Sequence, residues 1–463
     1  MKALKLIFQQ KKLLFWLFLF WLLLVVYAFW SYSQTDPNLV LINWQPYWRF
    51  QTWFWQLAAA HRDWLVRVYI GLIVALFAVY WQLVRFFSQK KWAAVATAAQ
   101  SKLLLLVWLV VISPLIFSYN ALSHDVFNYI FNARMVVEYH ANPHVQVALD
   151  FPTDLWTRFM HNTHTPAPYF YGWTGLSLIP YSLGAGKFLI TWLNFRLFAV
   201  ISLVLLFWSF LLLSKKLHWQ LELKNLTLLF FNPLLLIEII ANAHNDVWML
   251  ALFVLSLGLL MGDVKKKRLI ISILLLVLSI SIKYATALLI PVWCGFLFLG
   301  VLVKMLSGRL AMFKPLAEKT SVLLTRLFFL SASVLMFGLL FLSHSRQFLP
   351  WYLTWSLLWL PLILTNKENN LINFLSRLPL IGKLGLALEK ISQFELKVIS
   401  SWGLWLLAFS FSSLLRYVPW LMTGEYLEQT NSQEKLITWG GGILIFFLGL
   451  LWQRLAKRNL LLQ

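Results

Sequence analysis

Cysteine is almost missing from this chain. Cys294 stands alone, which excludes an intramolecular disulfide and leaves no thiol cluster for a metal. Acidic residues are scarce as well: 17 Asp and Glu stand against 39 Lys and Arg, and charged residues make up only 12% of the sequence. No segment carries a Walker loop or a dinucleotide fingerprint, so nothing supports a nucleotide donor. His124, His140, His144, His161 and His164 lie close in sequence. Of these, only His140 and His144 have metal-ligand spacing on a helix, and Pro143 interrupts them. Neither a metal nor a cofactor is expected. A detectable internal repeat is also lacking, which argues against the paired repeats of many transporters.

What the chain has is apolar surface. It is 60% hydrophobic with a mean hydropathy of +0.73. Apolar runs of about 20 residues recur, each able to cross a ~30 Å hydrocarbon layer as a helix. That excludes a large soluble helical protein. The net charge of +22 suggests nucleic acid only in a soluble protein. Here Lys and Arg sit in short loops between apolar runs, as in loops retained on the cytoplasmic side. Membrane lipid headgroups are the expected partner of that charge, and nucleic acid is not. Residues 12–31 follow a basic N-terminus and are too long for a signal-peptide core, so an uncleaved signal anchor is expected.

The expected fold is an all-α polytopic membrane protein in one integral membrane unit, 1–463, of about twelve spans. The runs are 12–31, 64–84, 103–121, 188–213, 225–243, 247–263, 269–282, 286–305, 321–343, 349–364, 398–420 and 436–453. The charge pattern puts both termini in the cytoplasm of a cell with this protein in its plasma membrane. Residues 366–397 read as a cytoplasmic amphipathic connection. Residues 168–186 are long enough to cross, but crossing would move every later basic loop outside. Rich in Pro and Gly, the segment is expected to be re-entrant or interfacial.

One stretch, 123–187, differs from its surroundings and is expected to be an outer-face loop with juxtamembrane helices. It is polar and carries Asp125, Glu138, Asp150 and Asp154. Ser123 can cap a helix over 124–140 that stops at Asn142-Pro143, and a second short helix fits 150–161. Asn128 and Tyr129 share the Asp125 face of that helix. Asp125, beside His124, is a candidate general base for a sugar hydroxyl; a carboxylate favouring a helix N-terminus accounts for it equally. The sequence Asn242-Ala243-His244-Asn245-Asp246 falls at an outer turn between spans. One polar residue is enough to cap the next helix there, and this turn has four. Glu238 lies inside a span, where a carboxylate needs a cavity or a partner. Lys283 and Arg346 are candidates to neutralise a phosphate, though Lys283 could simply snorkel.

These motifs resemble the GT-C glycosyltransferases, and within them the bacterial polyprenol-phosphomannose-dependent α-1,6-mannosyltransferase group. The resemblance rests on HDVFNYIFNAR, ANPH, PAPYFYGWTGL, NPLLLIEIIANAHNDVWMLALF, SISIKYATALLIP and FLPWYLTW, in that order over about 120–365. Singly these motifs have little specificity; their shared order carries the resemblance. Three positions depart from the family pattern: Ala243 replaces Gly, His144 follows Asn142-Pro143 in place of Tyr, and Trp173 follows Tyr171-Gly172 in place of Pro.

The resemblance implies a GT-C-like bundle whose first outer loop is catalytic. Its donor would be a polyprenyl-phosphate sugar, with mannose expected. The acceptor would be a hydroxyl of a cell-envelope glycan or glycolipid on the outer face, and transfer would invert the anomeric carbon. Asp125 would be the catalytic base. The substrate-binding set would be His124, Asn128, Tyr129, Arg134, Asn142, Tyr169, Tyr171, His244, Asn245, Asp246, Lys283, Arg346, Trp351 and Tyr352. A multi-span transporter or lipid flippase is the alternative reading.

Overall fold

The computed structural model describes residues 10–35, 39–89, 98–217, 219, 221–261, 265–309, 314–342, 348–365, 382–424 and 428–455. Among the described residues there are helices and turns and no strand. The chain is an all-α polytopic membrane fold. In chain order it begins with α1 (Lys11–Ser31), α2 (Gln45–Ala60), α3 (Arg62–Phe87), α4 (Ala98–Ile116) and α5 (Asp125–Tyr139). Helices α6 (Tyr171–Ser182), α7 (Phe188–Leu217), α8 (Leu223–Phe230) and α9 (Pro233–Ala241) follow. The second half holds α10 (Asp246–Leu260), α11 (Lys266–Ile282), α12 (Ile290–Arg309), α13 (Lys314–Gly338), α14 (Leu353–Leu357) and α15 (Leu360–Ile363). The last are α16 (Gly382–Leu415), α17 (Val418–Thr423), α18 (Glu428–Lys435) and α19 (Gly441–Leu455).

Eight helices among the described residues are long and apolar enough to cross a membrane, or nine if the bent pair α8–α9 is one span. About twelve were expected, and the difference lies in three short or broken segments. Helix α10 has 15 residues and α11 has 17, about 22 and 26 Å at 1.5 Å per residue. The run 349–364 is split into a 3-10 turn, α14 and α15. Helix α6, with 12 residues, is about 18 Å long and too short to span alone. The segment 366–381 lies outside the described residues, and 382–397 is part of the long α16.

Helix α10 is the centre. It is apolar on all sides and buried along nearly its whole length, as a helix enclosed by others must be. It packs against α7 and α11. The break between α8 and α9 shows how the interior manages exposed backbone. Pro233 has no N–H, and the Asn232 side chain takes the Leu234 N–H at 3.0 Å. The carbonyls of Leu228 and Phe230 are left without their helical donors. Tyr80 Oη donates to the first at 2.7 Å and Trp108 Nε1 to the second at 2.6 Å. In a lipid-enclosed interior, every such group needs a partner of this kind.

Helix α5 forms over nearly the expected range, but His124 rather than Ser123 stands at its N-cap and makes no side-chain cap bond, while Ser123 Oγ accepts the Asp125 N–H at 3.4 Å. Asp125 complements its N-terminal dipole, and the chain leaves it through His140 in the left-handed region, φ 51°. The expected helix over 150–161 does not form. Two 3-10 turns stand there, Ala148–Asp150 and Thr157–Phe159. Asp154 takes the Trp156 N–H at 2.9 Å and receives Arg134 and Tyr139 as well, so its carboxylate folds the loop onto α5 instead.

Candidate active site

The site collects where helices stop. Asp125 opens α5, and its Oδ2 accepts from Tyr169 Oη at 2.8 Å. His244 Nδ1 lies 3.6 Å from the same oxygen. Burial, and then the Asp125 charge, hold the Tyr169 phenol well above its ordinary value, so it stays protonated and donates. Tyr129 fixes the Tyr169 ring edge-on at 5.0 Å and packs edge-on against Trp173 at 5.0 Å. The Asp125 side chain retains 23% exposure.

The turn after α9 supplies the second wall. The last residues of α9, Leu236–Ala241, form a π-helical bulge, a distortion often found at functional sites. Ala243 then adopts φ 58°, a left-handed conformation that a Cβ disfavours by about 1–2 kcal/mol. That turn points His244 inward. The ring is fully buried, stacks on Trp351 at 4.0 Å, and sits 3.5 Å from Glu238 Oε2. Glu238 also accepts from Asn242 Nδ2 and Tyr417 Oη, each at 3.0 Å. The buried carboxylate therefore has the partners its position demands. Asn245 is buried, and its side-chain amide has no hydrogen-bond partner among the described residues.

Lys283 follows α11 in extended conformation. Its ammonium donates to Asp246 Oδ1 at 2.7 Å, and Trp355 Nε1 donates to the same oxygen. The rings of Tyr169, Trp355 and Tyr352 face the ammonium at 5.4, 5.7 and 6.0 Å. One of the three ammonium N–H groups serves Asp246, and two remain. Gly172 makes this approach possible: a Cβ there would lie 2.1 Å from Ser281 Oγ, so only glycine lets α6 rest on α11 just before Lys283.

Two cavities share Asp125, Leu349 and Trp351 as a common wall. One, of about 350 Å³, is lined by Lys283, Tyr169, Tyr352 and Trp355 together with Phe170, Ile282, Leu339 and Leu342. The other, of about 500 Å³, is lined by His124, Asn128, His161, Arg416, Trp420 and Glu434 among others. The first is a largely apolar slot with one cation. The second is polar. Burial, and then the stacked His161 ring at 4.0 Å, lower the His124 imidazole to about 3.

The other expected site residues fall elsewhere. Arg134 lies in a knot of side chains away from both cavities, bonded to Asp154 and Tyr181 and set over the Trp156 ring at 4.4 Å. For Asp154, burial pulls its carboxyl upward, but the bonds from Arg134, Trp156 and Tyr139 outweigh it and hold it below the ordinary value. Asn142 donates to Tyr171 Oη at 3.2 Å on an exposed surface that lines neither cavity. Arg346 lies outside the described residues. The cavity-lining residues that sequence reasoning missed include Arg416, Trp420, Asn431 and Glu434. Each is a single polar or aromatic group near an apolar run, with no spacing to mark it.

A family model described as alpha-(1->6)-mannopyranosyltransferase, N-terminal domain, matches residues 21–299, more than half of the chain. The chain belongs to this family. It is 26% identical over 216 residues to alpha-(1->6)-mannopyranosyltransferase A of Corynebacterium glutamicum. That alignment covers 46% of this chain and 42% of the relative, so the match spans under half of the relative's length. No solved structure matches the chain. The family match takes in Asp125, His244, Asp246 and Lys283 and ends before Trp351, Tyr352, Arg416 and Glu434.

Proposed function

We propose that this protein is an integral membrane mannosyltransferase. It takes mannose from a polyprenyl-phosphate donor and passes it to a hydroxyl of a cell-envelope glycan or glycolipid at the outer face of the plasma membrane. The observation that carries this reading is the Asp125 carboxylate between an apolar slot holding Lys283 and a separate polar cavity.

In the proposed reaction the donor lies in the apolar slot, its lipid chain toward Leu339 and Leu342 and its phosphate on Lys283. The acceptor hydroxyl enters from the polar side. Asp125 removes its proton, and the oxygen attacks the anomeric carbon from the face opposite the phosphate. The bond from that carbon to the phosphate oxygen breaks, and its electron pair leaves with polyprenyl phosphate, so the configuration inverts. Lys283 stabilises the charge that develops on the leaving oxygen. Polyprenyl phosphate leaves readily, so one carboxylate suffices, unlike the pair of a glycosidase. Tyr169 and His244 orient Asp125, which is a contribution to positioning. Family membership supports the sugar, and the polar rim around Asp125 supports an acceptor hydroxyl.

The test is a transfer assay. Purified protein in liposomes receives radiolabelled β-linked polyprenyl-phosphate mannose and a short mannoside acceptor. The expected result is labelled product with an α-linkage. A β-linked product would overturn inversion. Transfer from a glucose, galactose or arabinose donor in preference to mannose would overturn the sugar.

A further inference from the structure

The polar cavity has features that the donor slot lacks, and most of its distinctive residues lie beyond the end of the family match. Arg416 follows α16, Trp420 lies on α17, and Asn431 and Glu434 lie on α18. Facing them across the cavity are His124, Asp125 and Asn128 from the start of α5. Arg416 is paired with Glu434 at 2.7 Å and also donates to the Phe348 carbonyl. The charge of that pair cancels. Burial lowers the His124 imidazole to about 3, and Asp125 is the one carboxylate of the lining that is not paired with a Lys or Arg among the described residues. A phosphate or other anion would be repelled there. Oxygens capable of accepting are available: Asn128 Oδ1 and Asn431 Oδ1 are buried and have no hydrogen-bond partner among the described residues. Unpartnered buried acceptors of this kind gain from a ligand that brings O–H donors. The cavity's volume of about 500 Å³ lies in the range of small-ligand sites.

We propose that this cavity is the acceptor subsite, that it takes a neutral saccharide, and that Arg416, Trp420, Asn431 and Glu434 select it. The inference rests on the transferase reading for its role in catalysis, though not for binding itself. Sugar hydroxyls donate to the two Asn oxygens and to Glu434 and accept from Arg416, while the Trp420 ring covers an apolar C–H face. The Arg416–Glu434 pair holds α18 against the end of α16. The neighbouring Tyr417 donates to Glu238 at 3.0 Å, so the acceptor wall and the His244 turn are joined through one side chain.

The experiment separates binding from transfer. Isothermal calorimetry measures methyl mannobioside binding to the purified full chain without donor, for wild type, Asn431→Ala and Glu434→Gln. Thermal melting verifies that each variant is folded. Asn431 is partly exposed and makes no ion pair, so it decides the matter if Glu434→Gln unfolds. The expected result is a loss of binding of about tenfold or more in each folded variant. In the transfer assay, the acceptor KM rises by a similar factor and the donor KM stays within about twofold. Unchanged binding by Asn431→Ala, or an equal rise in donor KM, overturns the assignment. Binding by wild type that weakens in the variants, with no transfer from any donor, keeps the saccharide subsite and overturns the transferase reading instead.

Discussion

Arg196 and Lys283, two of the cations in the apolar interior among the described residues, are held in opposite ways. Arg196, on α7, is completely buried and lines neither of the two cavities. Its partners are neutral: the Leu115 carbonyl at 3.0 Å, Ser118 Oγ at 3.1 Å, Asn120 Oδ1, and the Trp192 ring at 4.2 Å. Asn120 in turn receives Trp192 Nε1 at 2.8 Å and donates to the Ala241 carbonyl at 3.2 Å. Arg196 therefore clamps the chain between α4 and Asp125 and joins it to the His244 turn. Lys283 has a carboxylate partner, aromatic faces, and a cavity in front of it. A buried cation bonded only to neutral oxygens of the protein, with no cavity in front of it, is a structural tie. One that keeps unused N–H groups at a cavity wall is placed for an anionic ligand.

That contrast is open to breakage. Lys283→Met should lower transfer by about a hundredfold or more, the scale of losing one preorganised charge contact to a leaving group. Its melting temperature should fall as well, because the buried Asp246 carboxylate loses its cation, so transfer is compared with wild type well below the melting temperature. Arg196→Met should act mainly on stability. It strands carbonyl and amide oxygens at the end of α4, a cost of about 1–3 kcal/mol, while transfer well below the melting temperature falls less than for Lys283→Met. If Arg196→Met abolishes transfer in a fully stable protein, the clamp reading fails.

A subtler sharpening works through backbone approach. Gly172→Val places methyl groups against Ser281, and overpacking of this kind costs about 1–3 kcal/mol. Separating α6 from α11 also moves Tyr169 relative to Lys283, so a rise in donor KM is expected, measured by varying donor concentration. The smallest effect is expected at Ala243. Glycine relieves the left-handed strain and loses part of the gain to chain entropy, for a net stabilisation of about 0.5 kcal/mol. Thermal melting with unchanged acceptor KM would verify it.

Much of this arrangement was legible in the sequence. The apolar runs marked the helices, and the polar stretch after residue 123 marked the loop. Asp125, His244, Asp246 and Lys283 stood out because each interrupts an apolar run beside other polar groups, and the structure brings them together. The number of spanning helices was less legible, since hydropathy does not register a break such as Asn232-Pro233 or the stops within 349–364. The short helix over 150–161 failed because Asp154 prefers a tertiary ion pair to a helical position. Arg196, Arg416 and Glu434 carry no pattern at all. Their meaning comes from side-chain hydrogen bonds to partners between 18 and 81 positions away, distances that no local spacing encodes.

The most direct measurement is transfer by Asp125→Asn. The amide keeps the shape of the carboxylate and can still meet Tyr169, but it cannot take a proton. Wild type and variant, purified alike and equal in melting temperature, would be given polyprenyl-phosphate mannose and a mannoside acceptor. The variant is expected to retain donor binding and to lose transfer by about a thousandfold, within the range for removing a general base. Transfer within a few-fold of wild type would contradict the claim that Asp125 activates the acceptor.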